Sequence, residues 1–343
     1  SKLECGTAQG LIASSSNRTS ILQGKISGSG GLVFYSVSGT GSKLSIGGGA
    51  VNTSDYTGDT YILSSIDLFS NGGGAQFLPY GTRTGNIYDY SQLSFSSGQI
   101  INGLNGTGIV NYGHSGTGTF TMGDNDANGS FDGILGASSN FNTWNLIKKG
   151  SGTQALTGSN SLYVGTTTVQ GGILQVSSLT DGGSSSSIGT AANAAANVVL
   201  DGGTLKYVGA ATSTDRLFTV GSSTAGAVGT LDASGTGAVN FTNTGSIGFG
   251  TNNQTRTLAL TGTNTGANTL AATIANNGTG AVSVVKSGTG TWVLAGANTY
   301  TGATTVNGGG TLALGANNAL PSGSAITLTS GTTSGNCLIV VFG

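Results

Sequence analysis

The residue types that could do chemistry gather in one stretch, Asp124-Asn125-Asp126-Ala127-Asn128-Gly129-Ser130-Phe131-Asp132. Oxygen donors alternate along it, and Gly129 stands sixth, where a calcium loop bends sharply around a hard cation. The twelfth position is Leu135, not the bidentate Glu that completes such a loop. Asp124, Asp126, Asn128 and Asp132 therefore make half a calcium loop. The expectation is a polar turn between strands, with a weak structural Ca2+ site as the alternative; no other cofactor is expected.

Acid–base and nucleophilic chemistry find less support. His114, in Tyr112-Gly113-His114-Ser115-Gly116, is the only histidine, and Glu4 is the only glutamate. Cleaving a glycosidic bond takes two carboxylates at a set separation, and no two aspartates are adjacent here. A triad serine would stand in a Gly-x-Ser-x-Gly elbow at a strand-to-helix turn, and that motif is missing. So are a phosphate loop and a zinc spacing. Threonine runs such as Thr166-Thr167-Thr168 are placed too irregularly for the flat array that ice binding needs. The chain reads as a non-enzyme.

What must position any of these residues is a repeat. Around Val284–Leu314 (VVKSGTGTWVLAGANTYTGATTVNGGGTLAL) lie strand-like runs at Val282–Val285, Thr291–Leu294, Thr304–Val306 and Thr311–Leu314, separated by glycine-rich turns. Alternation within them puts one side chain inward and the next outward. Each run has too few apolar residues to pack alone, so stability requires stacked copies that share a core. Copies are present. Leu146–Val176 aligns with it: Lys148, Gly150, Gly152, Thr153, Leu156, Gly158 and Asn160 answer Lys286, Gly288, Gly290, Thr291, Leu294, Gly296 and Asn298. A third copy begins at Gly31, and its Tyr56-Thr57-Gly58-Asp59-Thr60 echoes Tyr300-Thr301-Gly302-Ala303-Thr304. Weaker echoes lie at Thr117–Leu135 and Thr257–Ile274. The spacing is irregular, as for turns of one coil rather than equal modules.

The pattern Lys-x-Gly-x-Gly-Thr, Leu-x-Gly-x-Asn-x-Tyr-x-Gly, Thr-Thr-Val-x-Gly-Gly resembles the autotransporter-associated β-strand repeat of bacterial secreted passenger domains. Asp215-Arg216-Leu217-Phe218-Thr219-Val220 and Gly235–Phe249 resemble the linking turns of long surface proteins of that kind. The resemblance implies a right-handed parallel β-helix, export to the cell surface and no enzymatic activity, and it carries no catalytic residues with it. The fold expected is all-β, a single right-handed parallel β-helix (β-solenoid) of about three strands per turn, with loop excursions.

Composition agrees with a solenoid. Glycine supplies 64 of 343 residues and charged residues only 7%, yet apolar residues reach 36% and recur regularly, which argues against disorder. A net charge of −1 gives no electrostatic reason to expect nucleic acid or an anionic membrane. No run reaches the roughly 18 apolar residues of a membrane span. An exported protein would already have lost its signal segment, so an extracellular or cell-surface location is expected.

Along the chain we read a lead-in segment over 1–30, β-helix repeats over 31–336 and an apolar C-terminal strand over 337–343. Aromatic residues are dense from Gly31 to Asn142, where core stacking between turns competes with an exposed strip for sugar or surface binding. Asn71–Tyr90 and Thr180–Asn197 read as outward loops, the latter with a weak helix signal at Ala191–Ala196. The ends carry a sharper expectation. Cys5 and Cys337 would lie at opposite ends of a rod of roughly 65–70 Å, too far apart for one disulfide. Leu338, Ile339, Val340, Val341 and Phe342 form the most apolar run. They are expected to dock on the first turn of the next copy, with Cys337 bonded to that copy's Cys5. The partner expected is then a second copy of the chain, head to tail in a fibre. The alternative is a monomeric adhesin stalk whose loops meet surface glycans.

Overall fold

Short β-branched and leucine-rich runs bounded by glycine, asparagine and serine favour strands over helices. The computed structural model describes residues 2–4, 6–14, 20–22, 24–36, 44–47, 54–69, 76–81, 84–96, 98–113, 117–137, 143–222, 226–329 and 338–341. Among the described residues the helical content is one 3-10 turn, Ala195–Asn197, which is all that forms of the helix signal at Ala191–Ala196. Burial alternates residue by residue in strands such as Asn145–Lys148, Ile173–Val176, Arg256–Thr261 and Val282–Lys286.

The chain divides into two compact units, Ser1–Gly165 with Ser185–Gly189, and Thr166–Ser184 with Thr190–Gly343. In the N-terminal unit one sheet takes a strand from every coil. It runs Gly10–Ser14, Leu32–Ser36, Thr60–Ile62, Ile87–Asp89, Leu104–Gly106, Gly129–Phe131 and Thr153–Leu156, parallel throughout. A second sheet runs from Ser20–Leu22 to Ile134–Leu135, and a third takes in Gln99–Ile100, Thr119–Met122 and Asn145–Lys148. Among the described residues Lys2–Glu4 also pairs with Lys25–Ser27, in parallel, beside the first coil. The C-terminal unit repeats the plan, its longest sheet running from Ile173–Val176 through Arg256–Thr261 to Ile326–Leu328. Parallel neighbours need a long crossover, and here the crossover is the rest of the coil. Each unit is a parallel β-helix.

The strand Gly10–Ser14 already pairs with Leu32–Ser36, so coiling begins inside the 1–30 segment. Between Asn71 and Tyr90, Ile87–Asp89 is a coil strand, and Phe77 and Leu78 are buried. Residues 71–75 and 82–83 of the expected loop lie outside the described residues, and Phe77, Leu78 and Ile87 of the rest point inward.

The interior of the N-terminal unit is a column of rings. Phe95 stacks on Phe120 at 5.2 Å, Phe120 meets Trp144 edge-on at 6.1 Å, and Trp144 stacks on Tyr163 at 4.7 Å. Burying one such ring contributes about 1.5–3 kcal/mol. In the C-terminal unit Trp292 fills the same kind of position, with its indole N–H donated to the Thr261 carbonyl at 2.8 Å.

Candidate surface-binding site

The strand alternation that fills the core also sorts the aromatic residues of the N-terminal unit. Phe34, Tyr56, Phe77 and Phe95 point inward and are buried. Tyr35 and Tyr90 stay 45% and 50% exposed, and Tyr61 and Tyr88 are half-buried. Register then gathers the outward tyrosines. Val33 pairs with Tyr61 and Tyr61 with Tyr88, making one outer column. The Tyr61 and Tyr88 rings lie 4.7 Å apart at 11°, stacked from one coil to the next. Beside them runs a second column, Tyr35, Leu63 and Tyr90, continued by the bonds from Leu63 N to the Phe34 carbonyl and from Tyr90 N to the Ile62 carbonyl. Partial burial, then the Asp59 carboxylate nearby, hold the Tyr61 and Tyr88 phenols above their ordinary range. Both are therefore neutral hydrogen-bond donors near pH 7. Asp59 itself accepts the Asn86 N–H at 2.8 Å.

The residues singled out for calcium bond from one coil to the next. Asp124 forms an ion pair with Lys149. Asp126, at φ 64, accepts the Ser151 N–H at 2.6 Å, and that bond, first among its causes, lowers its carboxyl below the usual range. Asn128 accepts the Thr153 N–H at 2.7 Å, and Asp132 the Thr157 hydroxyl at 2.9 Å. All four thus reach across to the next coil. Among the described residues no three of His, Cys, Asp or Glu come together as a metal site. His114, Cys5, Cys337 and Phe342 lie outside the described residues. Leu338–Val341 is a strand, parallel to Thr311–Leu314 of its own chain, with Leu338 opposite Thr311 and Val341 opposite Leu314.

A face of stacked tyrosines suits contact with another surface. The passenger-associated-transport-repeat family matches residues 146–176 and 284–314. The chain thus carries two passenger-associated transport repeats. It is also 37% identical over 200 residues to the adhesin BmaC autotransporter of Brucella suis biovar 1 (strain 1330), a match covering 54% of this chain and 5% of that protein. No solved structure matches.

The two passenger repeats explain their own consensus. In each, a fully buried lysine turns back on the turn that follows it. Lys148 Nζ donates to the carbonyls of Lys149 (2.6 Å) and Gly150 (3.0 Å); Lys286 Nζ donates to those of Ser287 (2.6 Å) and Gly288 (3.0 Å). Gly150 and Gly288 take φ of 70° and 69°, a region open to glycine. At Gly152 and Gly290 a Cβ would overlap carbonyl oxygens of the preceding coil. Lys-x-Gly-x-Gly is thus a capped turn pressed against its neighbour. Burial pushes the Lys148 ammonium down to about 8, with Asp126 acting against it.

A second device pins the Thr180–Asn197 stretch. The guanidinium of Arg216, 2% exposed, donates to the carbonyls of Thr180 (2.9 Å), Ala191 (2.8 Å) and Ser184 (3.2 Å). Asp215 accepts the Gly182 N–H and the Asn193 amide, both at 2.7 Å. The expected outward loop is therefore a fastened one, with Leu179, Ile188 and Ala191 buried. Sequence reading placed the Asp215-Arg216 turn but not its grip, since the residues it holds lie some 30 positions away.

Proposed function

We propose that the chain is a non-enzymatic, surface-exposed section of an adhesin-type passenger, whose coils hold contact residues outward on a rigid frame. The observation that carries this reading is the likeness to the Brucella adhesin over 200 residues. The outward tyrosine columns agree with it, since large rings left facing water mark contact surfaces. The test is adhesion. Beads coated with the purified chain should bind epithelial monolayers more than beads coated with heat-unfolded chain. Equal binding by the two would remove the adhesin reading.

A second reading is head-to-tail stacking into a fibre, in which a second copy would cover the exposed apolar residues of the strand Ile326–Leu328. Ile326 and Leu328 continue columns whose previous members, Thr304 and Val306, are fully buried, yet they are 51% and 55% exposed. An apolar face of this kind suits the first coil of a second copy. Negative-stain microscopy at micromolar concentration distinguishes filaments from single particles.

A further inference from the structure

We propose that the outer tyrosine face of the N-terminal unit binds a neutral, linear glycan laid along the stacking direction of the coils. The proposal rests on the adhesin reading for its setting and on geometry for its ligand. Three features select the ligand class. The first is charge. From the Gly10–Ser14 coil to the Leu104–Gly106 coil neither outer column contains a charged side chain, and the ionised group beside the stacked pair is the Asp59 carboxylate. Acidic polymers meet repulsion from that carboxylate, and the residues of the two columns supply no cation to hold them.

The second is chemical type. A pyranose offers C–H faces to aromatic rings and hydroxyls to polar rims, and tyrosine supplies both a ring and an O–H. Neutral phenols at Tyr61 and Tyr88 can donate to sugar oxygens, and Asp59 can accept from sugar hydroxyls. The third is spacing. Tyr35 and Tyr90 stand two coils apart in one column with Leu63 between them. At about 4.8 Å per coil their separation is about 10 Å, the span of two sugar units in an extended chain. A repeating polymer can place every second ring on a tyrosine, which a single small molecule cannot.

The experiment is native gel electrophoresis of the folded chain through gels containing hydroxyethylcellulose, galactomannan or alginate. The expected result is retardation of several-fold in at least one neutral polymer and none in alginate. Tyr61→Ala with Tyr88→Ala, and separately Tyr35→Ala with Tyr90→Ala, should restore free mobility. These positions face outward, and unchanged circular dichroism and melting would show that the fold is intact. Tyr61→Phe with Tyr88→Phe should retain partial retardation. Normal mobility of the native chain in both neutral polymers overturns the proposal, as does retardation that survives the alanine pairs. So does an equal or greater effect of alginate. If the alanine pairs instead turn an oligomer into a monomer in free solution, the face joins copies of the chain, and the glycan proposal fails. Beads that bind cells through a chain that ignores both polymers would leave the adhesin reading standing alone. Polymer binding without cell binding would do the reverse.

Discussion

Asp89 is the residue at which the inward pattern meets an ionisable group. It occupies the core column that runs Phe34, Ile62, Asp89, Gly106, Phe131, Leu156. Its side chain is fully buried, Oδ1 accepts the Ser91 N–H at 3.1 Å, and Oδ2 has no hydrogen-bond partner among the described residues. Burial pushes the carboxyl up to about 7, against the N–H groups of Ser91 and Leu93. In the unfolded chain an aspartate titrates near 3.9. The folded state therefore holds an extra proton between about pH 4 and pH 7, and stability from this group falls as pH rises across that window. Above it, folding carries the cost of an ionised carboxylate in an apolar column, on the order of a few kcal/mol. Asp89→Asn should be more stable than the native chain at pH 8, while the difference shrinks toward pH 4. Thermal melts of both proteins from pH 4 to pH 8 check this, and parallel curves would contradict it.

At the scale of elements, the strands were legible and their fastenings were not. Thr291–Leu294, Thr304–Val306 and Thr311–Leu314 form where alternation placed them, because a period of two is a local property. Register is not local. That Tyr61 would stand on Tyr88, or that Asp126 and Asn128 would spend their oxygens on the next coil, depends on irregular coil lengths between them. The outward position of Tyr61 beside inward Ile62 could have been read from alternation alone. The inward position of Asp89 could not, since a carboxylate breaks the pattern that identifies an inward column. Arg216 is the clearest hidden fastening. Removing its guanidinium leaves the Thr180 carbonyl with the Thr214 hydroxyl at 2.9 Å and the Ala191 carbonyl with the Gly183 N–H at 3.3 Å, and losing the bonds from the cation costs roughly 1.5–3 kcal/mol each. Arg216→Ala should therefore lower stability by about 2–4 kcal/mol. It should also open Thr180–Asn197 to limited proteolysis while the strands beyond Val198 stay protected. Arg216→Lys should rescue only in part, since an ammonium cannot serve the same set of acceptors in a plane. Protease digestion with mass spectrometry reads both effects; an uncut stretch in Arg216→Ala would show that its apolar residues, not the arginine, hold it.

At the scale of the molecule, a stacking subunit differs from a lone stalk in whether a second copy covers its exposed apolar strands. A solenoid's last turn shows an unpaired strand edge and half a core, and both invite another chain unless they are covered. Leu338–Val341 extends its own sheet by one strand beyond Thr311–Leu314 and stands last in it. In the neighbouring sheet Ile326–Leu328 stands last, with Ile326 and Leu328 about half exposed although they continue inward columns. A second copy set there by its first coil would bury these side chains, and since the two faces differ the contact would propagate rather than close. Sedimentation velocity should then show association that grows with concentration. Ile326→Lys with Leu328→Glu should abolish it without unfolding the chain, because both side chains already face water. The proposed fibre also has a covalent version. If Cys337 bonds Cys5 of the next copy, a non-reducing gel shows a ladder that collapses to monomer on reduction. Monomer under both conditions, with both thiols open to alkylation, ends the covalent version and leaves the apolar contact to be judged by sedimentation. A native chain that stays monomeric at every concentration ends the fibre reading altogether and leaves the stalk.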